Sequence, residues 1–147
     1  MAKLARDVMT PDPACCSPRT TIDEIAKLMV QIDCGEIPVV DTGDRIVGVV
    51  TDRDIVCRVV ALGKNPIGYT AEACMSRQVV TVRENTPLDD VVATMEQHQI
   101  RRIPVVDEDG RCTGIIAQAD IAREADGRET AELVREVSHE SSSRGSR

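Results

Sequence analysis

The chain has 147 residues, a formal net charge of −7 and 41% hydrophobic residues, with no Trp, no Phe and Tyr69 as its single aromatic. An acidic chain lacks the cationic surface that displaces counterions from phosphates, which excludes nonspecific nucleic-acid binding. No apolar run approaches the ~20 residues of a bilayer span, and Met1-Ala2-Lys3-Leu4-Ala5-Arg6-Asp7 is not a signal peptide, so no membrane association and a cytoplasmic location are expected.

In chain order, Thr20 and Asp23 read as a helix start, a hydroxyl cap followed by an acid in the first turn. Ile22, Ile25, Leu28, Met29 and Ile32 then follow helical spacing. Two short β-rich runs come next, 38–41 and 45–50, joined by the turn Thr42-Gly43-Asp44. A second helix is predicted over 52–62, and Gly63-Lys64-Asn65-Pro66-Ile67-Gly68 reads as a turn-rich linker. The pattern then starts again. Thr86 and Asp89 mark a helix start with Pro87 in its first position, and Leu88, Val91, Val92 and Met95 give its apolar face. Strands at 104–107 and 111–116 flank Glu108-Asp109-Gly110, and a helix is predicted over 118–125. A further helix over 130–137, with Leu133, Val134 and Val137 as its apolar face, precedes the polar tail from Ser141 to Arg147, expected to be disordered.

This is an internal repeat. Met9 matches Met75, Thr20 matches Thr86, Met29 matches Met95, Gly48 matches Gly114 and Asp54 matches Asp120. Ile37-Pro38-Val39-Val40-Asp41 matches Ile103-Pro104-Val105-Val106-Asp107, and every pair is 66 positions apart. A colinear series without a gap indicates duplication. The expected organisation is a first domain at 1–62, a linker at 63–70, a second domain at 71–126 and a C-terminal helix and tail at 127–147. Units of this size are marginal alone, so the two should pack together.

The six cysteines, Cys15, Cys16, Cys34, Cys57, Cys74 and Cys112, include no C-x-x-C pair, and only His98 and His139 could join them as ligands. They read as reduced, small hydrophobes; a zinc or redox site is the alternative. No metal or catalytic residue is predicted, because no Ser-His-Asp set, Gly-rich phosphate loop or His cluster is present.

The chemistry concentrates in Gly48-Val49-Val50-Thr51-Asp52-Arg53-Asp54, where a strand runs directly into a helix. The Asp54 carboxylate has the geometry to accept hydrogen bonds from both vicinal hydroxyls of a ribose. Thr51 places a hydroxyl at a helix N-terminus, where free amides favour a phosphate. Thr51 is also a simple cap for that helix, and the two roles are compatible. With so few aromatics, a planar ligand must be held by Ile, Val and Pro.

The repeated helix–strand–strand–helix order, the Ile-Pro-Val-Val-Asp block and the Gly48–Asp54 segment together resemble the cystathionine-β-synthase (CBS) domain family over residues 5–125, and stand-alone bacterial two-domain proteins in particular. The resemblance implies an α+β fold of two βαββα-type repeats packed through their sheets about a pseudo-twofold axis, with homodimers into a flat disc. It implies binding of AMP, ADP, ATP, NAD or S-adenosylmethionine in clefts between the copies, as regulatory ligands with no cofactor required. Carried over, the main site comprises Thr51 and Asp54 facing Ser76, Val80, Ile100, Arg101, Arg102, Ile103 and Pro104. Val80 and Ile103 sandwich adenine there, and Arg101 or Arg102 meets phosphate; a solvated basic pair is the plainer alternative. The second site comprises Ala117 and Asp120 facing Thr10, Ala14, Cys15, Gly35, Glu36, Ile37 and Pro38. It is weaker, because Ala117 replaces the threonine and Gly35-Glu36 stands where the first site has arginines. The implied function is a regulatory sensor, not an enzyme, acting on a downstream protein the sequence does not identify. The alternative is a protein-interaction or thiol-redox module with degenerate clefts, in which vicinal Cys15 and Cys16 respond to oxidants.

Overall fold

The computed structural model describes residues 3–126; the expected helix at 130–137 and the polar tail lie outside the described residues. In each repeat one amphipathic helix packs on one hairpin. The first repeat runs α1 (Ala5–Val8), β1 (Thr10–Pro11), α2 (Ile22–Ile32), β2 (Glu36–Val40), β3 (Ile46–Thr51) and α3 (Asp52–Ile55). The second runs α4 (Ala71–Cys74), β4 (Val82–Arg83), α5 (Leu88–His98), β5 (Arg102–Val106) and β6 (Cys112–Ala117), then a helix α6 at 118–126. The helix expected over 52–62 is present as one helical run to Val60 that changes type, α3 continuing without a break as a π-helical stretch, Val56–Val60.

Helices α2 and α5 carry paired acids in their first turns, Asp23 and Glu24, Asp89 and Asp90, which suit the positive end of the helix dipole. Both end on a left-handed residue, Asp33 and Gln99. The threonines expected to cap them do not. The Thr20 and Thr86 hydroxyls instead accept from the Ser17 and Arg83 amides, each at 3.0 Å. The reason lies in the other repeat: the Ile22 amide donates to the Tyr69 carbonyl at 3.0 Å and the Leu88 amide to the Lys3 carbonyl at 2.8 Å. With those donors satisfied by backbone, a hydroxyl cap is not needed there. Pro87 accordingly sits just before α5, not as its first residue.

That pair of bonds belongs to an exchange. The leading segment of each repeat packs on the other repeat's sheet. Strand β1 pairs antiparallel with β6 (Thr10 opposite Ile115) in the order β1-β6-β5-β4, with β4 parallel to β5. The first hairpin, β2-β3, is extended in the same manner by bridges from Ser76 to Val49 and from Cys16 to Val39. The cores follow the exchange. Ala71, Cys74 and Met75 join Ile22, Ile25, Ile37 and Val50 in one cluster, while Ala5 joins Leu88, Val91, Ile103 and Ile116 in the other.

Where the hairpin turns meet, the Ile46 amide donates to Gly110 at 3.2 Å and the Cys112 amide to Asp44 at 2.9 Å. These bonds are equivalents of each other, and Arg45 is bridged to its own equivalent, Arg111. A residue paired with its own repeat mate lies on the symmetry axis, so the pseudo-twofold passes between them.

The exchange needs close approach at one glycine per sheet. A Cβ on Gly48 would lie 2.7 Å from Met75 Sδ and 3.0 Å from the Ser76 carbonyl oxygen. The sulfur can move aside but the carbonyl is held in the bridge to Val49. Gly48→Ala is expected to cost ~1–3 kcal/mol of stability through overpacking, read as a lower urea midpoint at unchanged slope. An unchanged midpoint would refute the close packing.

Candidate functional site

At the end of β3 the chain turns straight into α3, and Thr51 and Asp54 bond reciprocally across that turn. The Asp54 amide donates to Thr51 Oγ1 and the Thr51 amide to Asp54 Oδ2, both at 3.0 Å. This capping box fixes the Asp54 carboxylate at the rim. It leaves Oδ1 with only a loose ion pair, 4.0 Å from Arg58 Nε. Arg58 was not singled out from the sequence, although its i,i+4 spacing from Asp54 was a signal. It also donates to the carbonyls of Cys74 and Met75 at 3.0 and 3.4 Å, tying α3's continuation to the exchanged helix α4.

The second repeat reproduces half of this arrangement. The Ala117 amide donates to Asp120 Oδ2 at 2.8 Å, but Ala117 has no hydroxyl to return the bond. Asp120 Oδ1 is taken by the Arg123 guanidinium. Among the described residues, Asp54 Oδ1 therefore has no close partner, whereas Asp120 Oδ1 does.

The structure sorts the other predicted residues into rim and support. Ser76 exchanges two backbone bonds with Val49, at 3.0 and 2.8 Å, which brings it to the strand that ends in Thr51. Val80 and Ile100 pack against the second core and remain partly exposed. Arg101 is exposed and Arg102 half-buried, with Arg102 opposite Ala117 in the β5–β6 register. Ile103 and Pro104 are sealed in the core, as are Ile37 and Pro38 in the other repeat. Ile103, expected against one face of an adenine, packs with Leu88, Val91 and Ile116 in the second core. These four residues back the walls without offering surface. Thr10 is exposed on β1, and Ala14 and Cys15 are half-buried just after it.

Glu36 and Gly35 are the informative pair. In the β2–β3 register Glu36 lies directly opposite Thr51. The Asp52 amide donates to the Gly35 carbonyl at 2.9 Å, and a Cβ on Gly35 would come within 2.8 Å of Asp52 Oδ2. Both thus adjoin the Thr51 turn of their own repeat. Burial raises the Glu36 carboxyl to about 7; Arg102 pulls it down and Asp54 pushes it further up. Glu36 and Arg102 are repeat equivalents, so the charged rims of the two hairpins approach each other close to the axis. Asp54, Glu36 and Arg102 form one electrostatically linked group. Such a group can accept from vicinal hydroxyls at Asp54 and donate to an anion at Arg102, with Glu36 opposing the anion when ionised.

All six cysteines are free thiols. Burial pushes Cys16 up to about 12, helped by neighbouring Cys15 and Cys74. Among the described residues, no group of three or more His, Cys, Asp and Glu is arranged to hold a metal, and no helix is long and apolar enough to cross a membrane.

The CBS domain family model matches residues 5–61 and again residues 71–127. The chain is 43% identical over 117 residues to the CBS domain-containing protein YhcV of Bacillus subtilis, covering 80% of this chain and 81% of that protein. It resembles the crystal structure of the CBS domain pair of protein MJ0100 in complex with 5-methylthioadenosine and S-adenosyl-L-methionine, with a TM-score of 0.76 and 32% identity over 87% of this chain and 99% of that one. It also resembles CBSX2 of Arabidopsis thaliana in complex with AMP, with a TM-score of 0.76 and 29% identity over 86% and 98% of the two chains.

Proposed function

The chain belongs to the CBS domain family, and on that premise we propose that it is a regulatory module, not an enzyme, that binds an adenosine-containing nucleotide where its two repeats meet. The observation that carries this reading is the Thr51–Asp54 capping box, which presents a carboxylate oxygen with no close partner among the described residues, in the same charged group as Arg102. In this reading Asp54 accepts from the ribose hydroxyls. The Asp52, Arg53 and Asp54 amides are already bonded within the turn, so the Thr51 hydroxyl donates to the phosphate, and Arg102, with Arg101 beside it, neutralises its charge. Ser76, Val80 and Ile100 complete the wall around the base. Two similar proteins support the ligand class, one solved with AMP and one with S-adenosyl-L-methionine and 5-methylthioadenosine. ADP, ATP and NAD share the ribose that Asp54 would read.

The second cleft, at Ala117 and Asp120, is the weaker one, and a less charged ligand suits it better. A nucleotide that touches both repeats favours one orientation of the pair, and the signal is that shift in population. A homodimer and a downstream protein belong to the same reading. Val56, Val60 and Leu62 expose 56%, 58% and 63% of their surface, apolar area for a partner to cover.

The test is a thermal-shift series with AMP, ADP, ATP, NAD and S-adenosylmethionine. A ligand at ~100 times its dissociation constant stabilises by ~2.7 kcal/mol, which for a chain of this size raises the melting temperature by about 5–10 °C. The reading fails if none of the five raises it and the purified protein carries no adenine nucleotide.

A further inference from the structure

The segment after β1 has to change sheets. Pro11 is paired with Gly114 of the second repeat, and the Asp12 amide still donates to the Thr113 carbonyl at 3.3 Å. Cys16 is already bonded to the first repeat, its amide donating to Pro38 at 2.9 Å and its carbonyl accepting from Val40 at 2.8 Å. The chain therefore crosses between the sheets within residues 12–15, starting at Asp12 with φ of 49°. Cys15 stands at the far end of this crossing and lines one cavity with Asp44, whose carbonyl accepts from the amide of Cys112, the first residue of β6, at 2.9 Å, so both thiols lie beside the Asp44 turn. The equivalent crossing in the second repeat carries Thr81, and the equivalent strand begins with Ile46, so the thiol pair exists on one side only.

We propose that Cys15 and Cys112 form a reversible disulfide that fastens the first repeat's crossing segment to the second repeat's sheet. Both thiols are half-buried, whereas Cys16 is buried in the first core. Cys15 also lines a cavity of about 760 Å³, together with Ser17, Arg19, Val40, Asp44 and Glu72. A small hydroperoxide reaches the sulfur by that route. The interaction with Cys112 lowers the Cys15 thiol below its ordinary range and raises Cys112. Cys15 is therefore the attacking thiolate. Its sulfur takes the terminal oxygen of the hydroperoxide, the O–O bond breaks, and the alkoxide leaves as the alcohol after gaining a proton. Cys112 then attacks the sulfenic sulfur; the S–S bond forms, the S–O bond breaks, and hydroxide leaves as water with the Cys112 proton. Two thiols and one hydroperoxide give one disulfide, one alcohol and one water.

The experiment treats the reduced full chain with one equivalent of hydrogen peroxide and maps the products by non-reducing digestion and mass spectrometry. The expected product is a peptide pair linked through Cys112, lost on adding dithiothreitol. It persists in Cys16→Ser and Cys57→Ser and is absent in Cys15→Ser. In Cys112→Ser, dimedone traps a sulfenic acid on Cys15. A vicinal Cys15–Cys16 product, oxidation confined to exposed Cys57, or over-oxidised Cys15 with Cys112 still reduced would each overturn the proposal. In the wild-type map, fragmentation of the linked peptide between Cys15 and Cys16 tells which of them is joined to Cys112, so a variant that folds poorly does not obscure the result.

Discussion

Asp54→Ala is expected to abolish the nucleotide-induced rise in melting temperature, whereas Asp120→Ala leaves most of it. The two carboxylates occupy equivalent positions and are almost equally enclosed, with side-chain exposures of 13% and 10%. Their remaining valences differ. Asp54 spends one oxygen on the Thr51 amide and holds the other 4.0 Å from Arg58. Asp120 spends one on the Ala117 amide and gives the other to Arg123. A ribose bound at Asp120 must first displace that guanidinium. Two hydrogen bonds to a carboxylate contribute ~3–6 kcal/mol when lost, at least a hundredfold in affinity. The substitution also removes half of a capping box, at ~0.5–2 kcal/mol, so ligand-free Asp54→Ala should melt lower as well. Comparing each variant's ligand-induced shift with its own ligand-free melting point separates the two losses. Equal shifts in both variants would show that the ranking of the clefts is wrong.

Glu36→Gln is expected to flatten the dependence of stability on pH and to tighten nucleotide binding in mild alkali. Burial holds the folded Glu36 carboxyl up near 7, above the ordinary 4.5 of the unfolded chain. Between those values the folded state keeps a proton that the unfolded state has released. The associated stability is complete below pH ~4.5 and is lost as pH rises through about 7. Partial solvent access limits the total to ~1–3 kcal/mol. Urea unfolding at pH 5 and pH 8 should show that loss in the wild type and not in Glu36→Gln. Binding follows from the same group. At pH 8 the ionised Glu36 adds a negative charge beside Asp54 and Arg102, and the glutamine variant should bind AMP several-fold more tightly. At pH 5.5 the two proteins should bind alike, since the phosphate of AMP titrates identically for both. A wild-type pH slope retained in Glu36→Gln would mean that another group sets it.

The repeat itself was plain in the sequence, because helix faces such as Ile22, Ile25 and Met29 and strand blocks such as Ile37 to Asp41 carry their own periodicity. The exchange of leading segments was not. Helix α1 is a single turn, too short to show a face, and its destination is fixed by tertiary contact. Met9 and Met75 were visible as equivalents, and so were Gly48 and Gly114. Nothing local says that each methionine lies over the glycine of the other repeat. The threonine caps failed for the same reason, since the amides they were expected to serve are bonded across the exchange. At the candidate site, the motif around Thr51 and Asp54 was legible because strand, cap and carboxylate are contiguous. The position of Glu36 beside Thr51 depends on the hairpin register, and the charge of Arg102 reaches it only through the packing of the two hairpins. Neither is written in local spacing.

The bridge from Thr10 to Ile115 also sets an order of events during synthesis. Residues 5–11 leave the ribosome well before β6, yet the sheet that receives them is complete only when β6 has been made. The first repeat likewise lacks Ala71, Cys74 and Met75 until translation has passed the linker. Neither half can therefore reach its final form before part of the other has been made, and the usual domain-by-domain route is closed. Maturation is a single late step. A ribosome-stalled chain ending after the linker should be readily cut by proteases, and a release point beyond β6 should restore resistance.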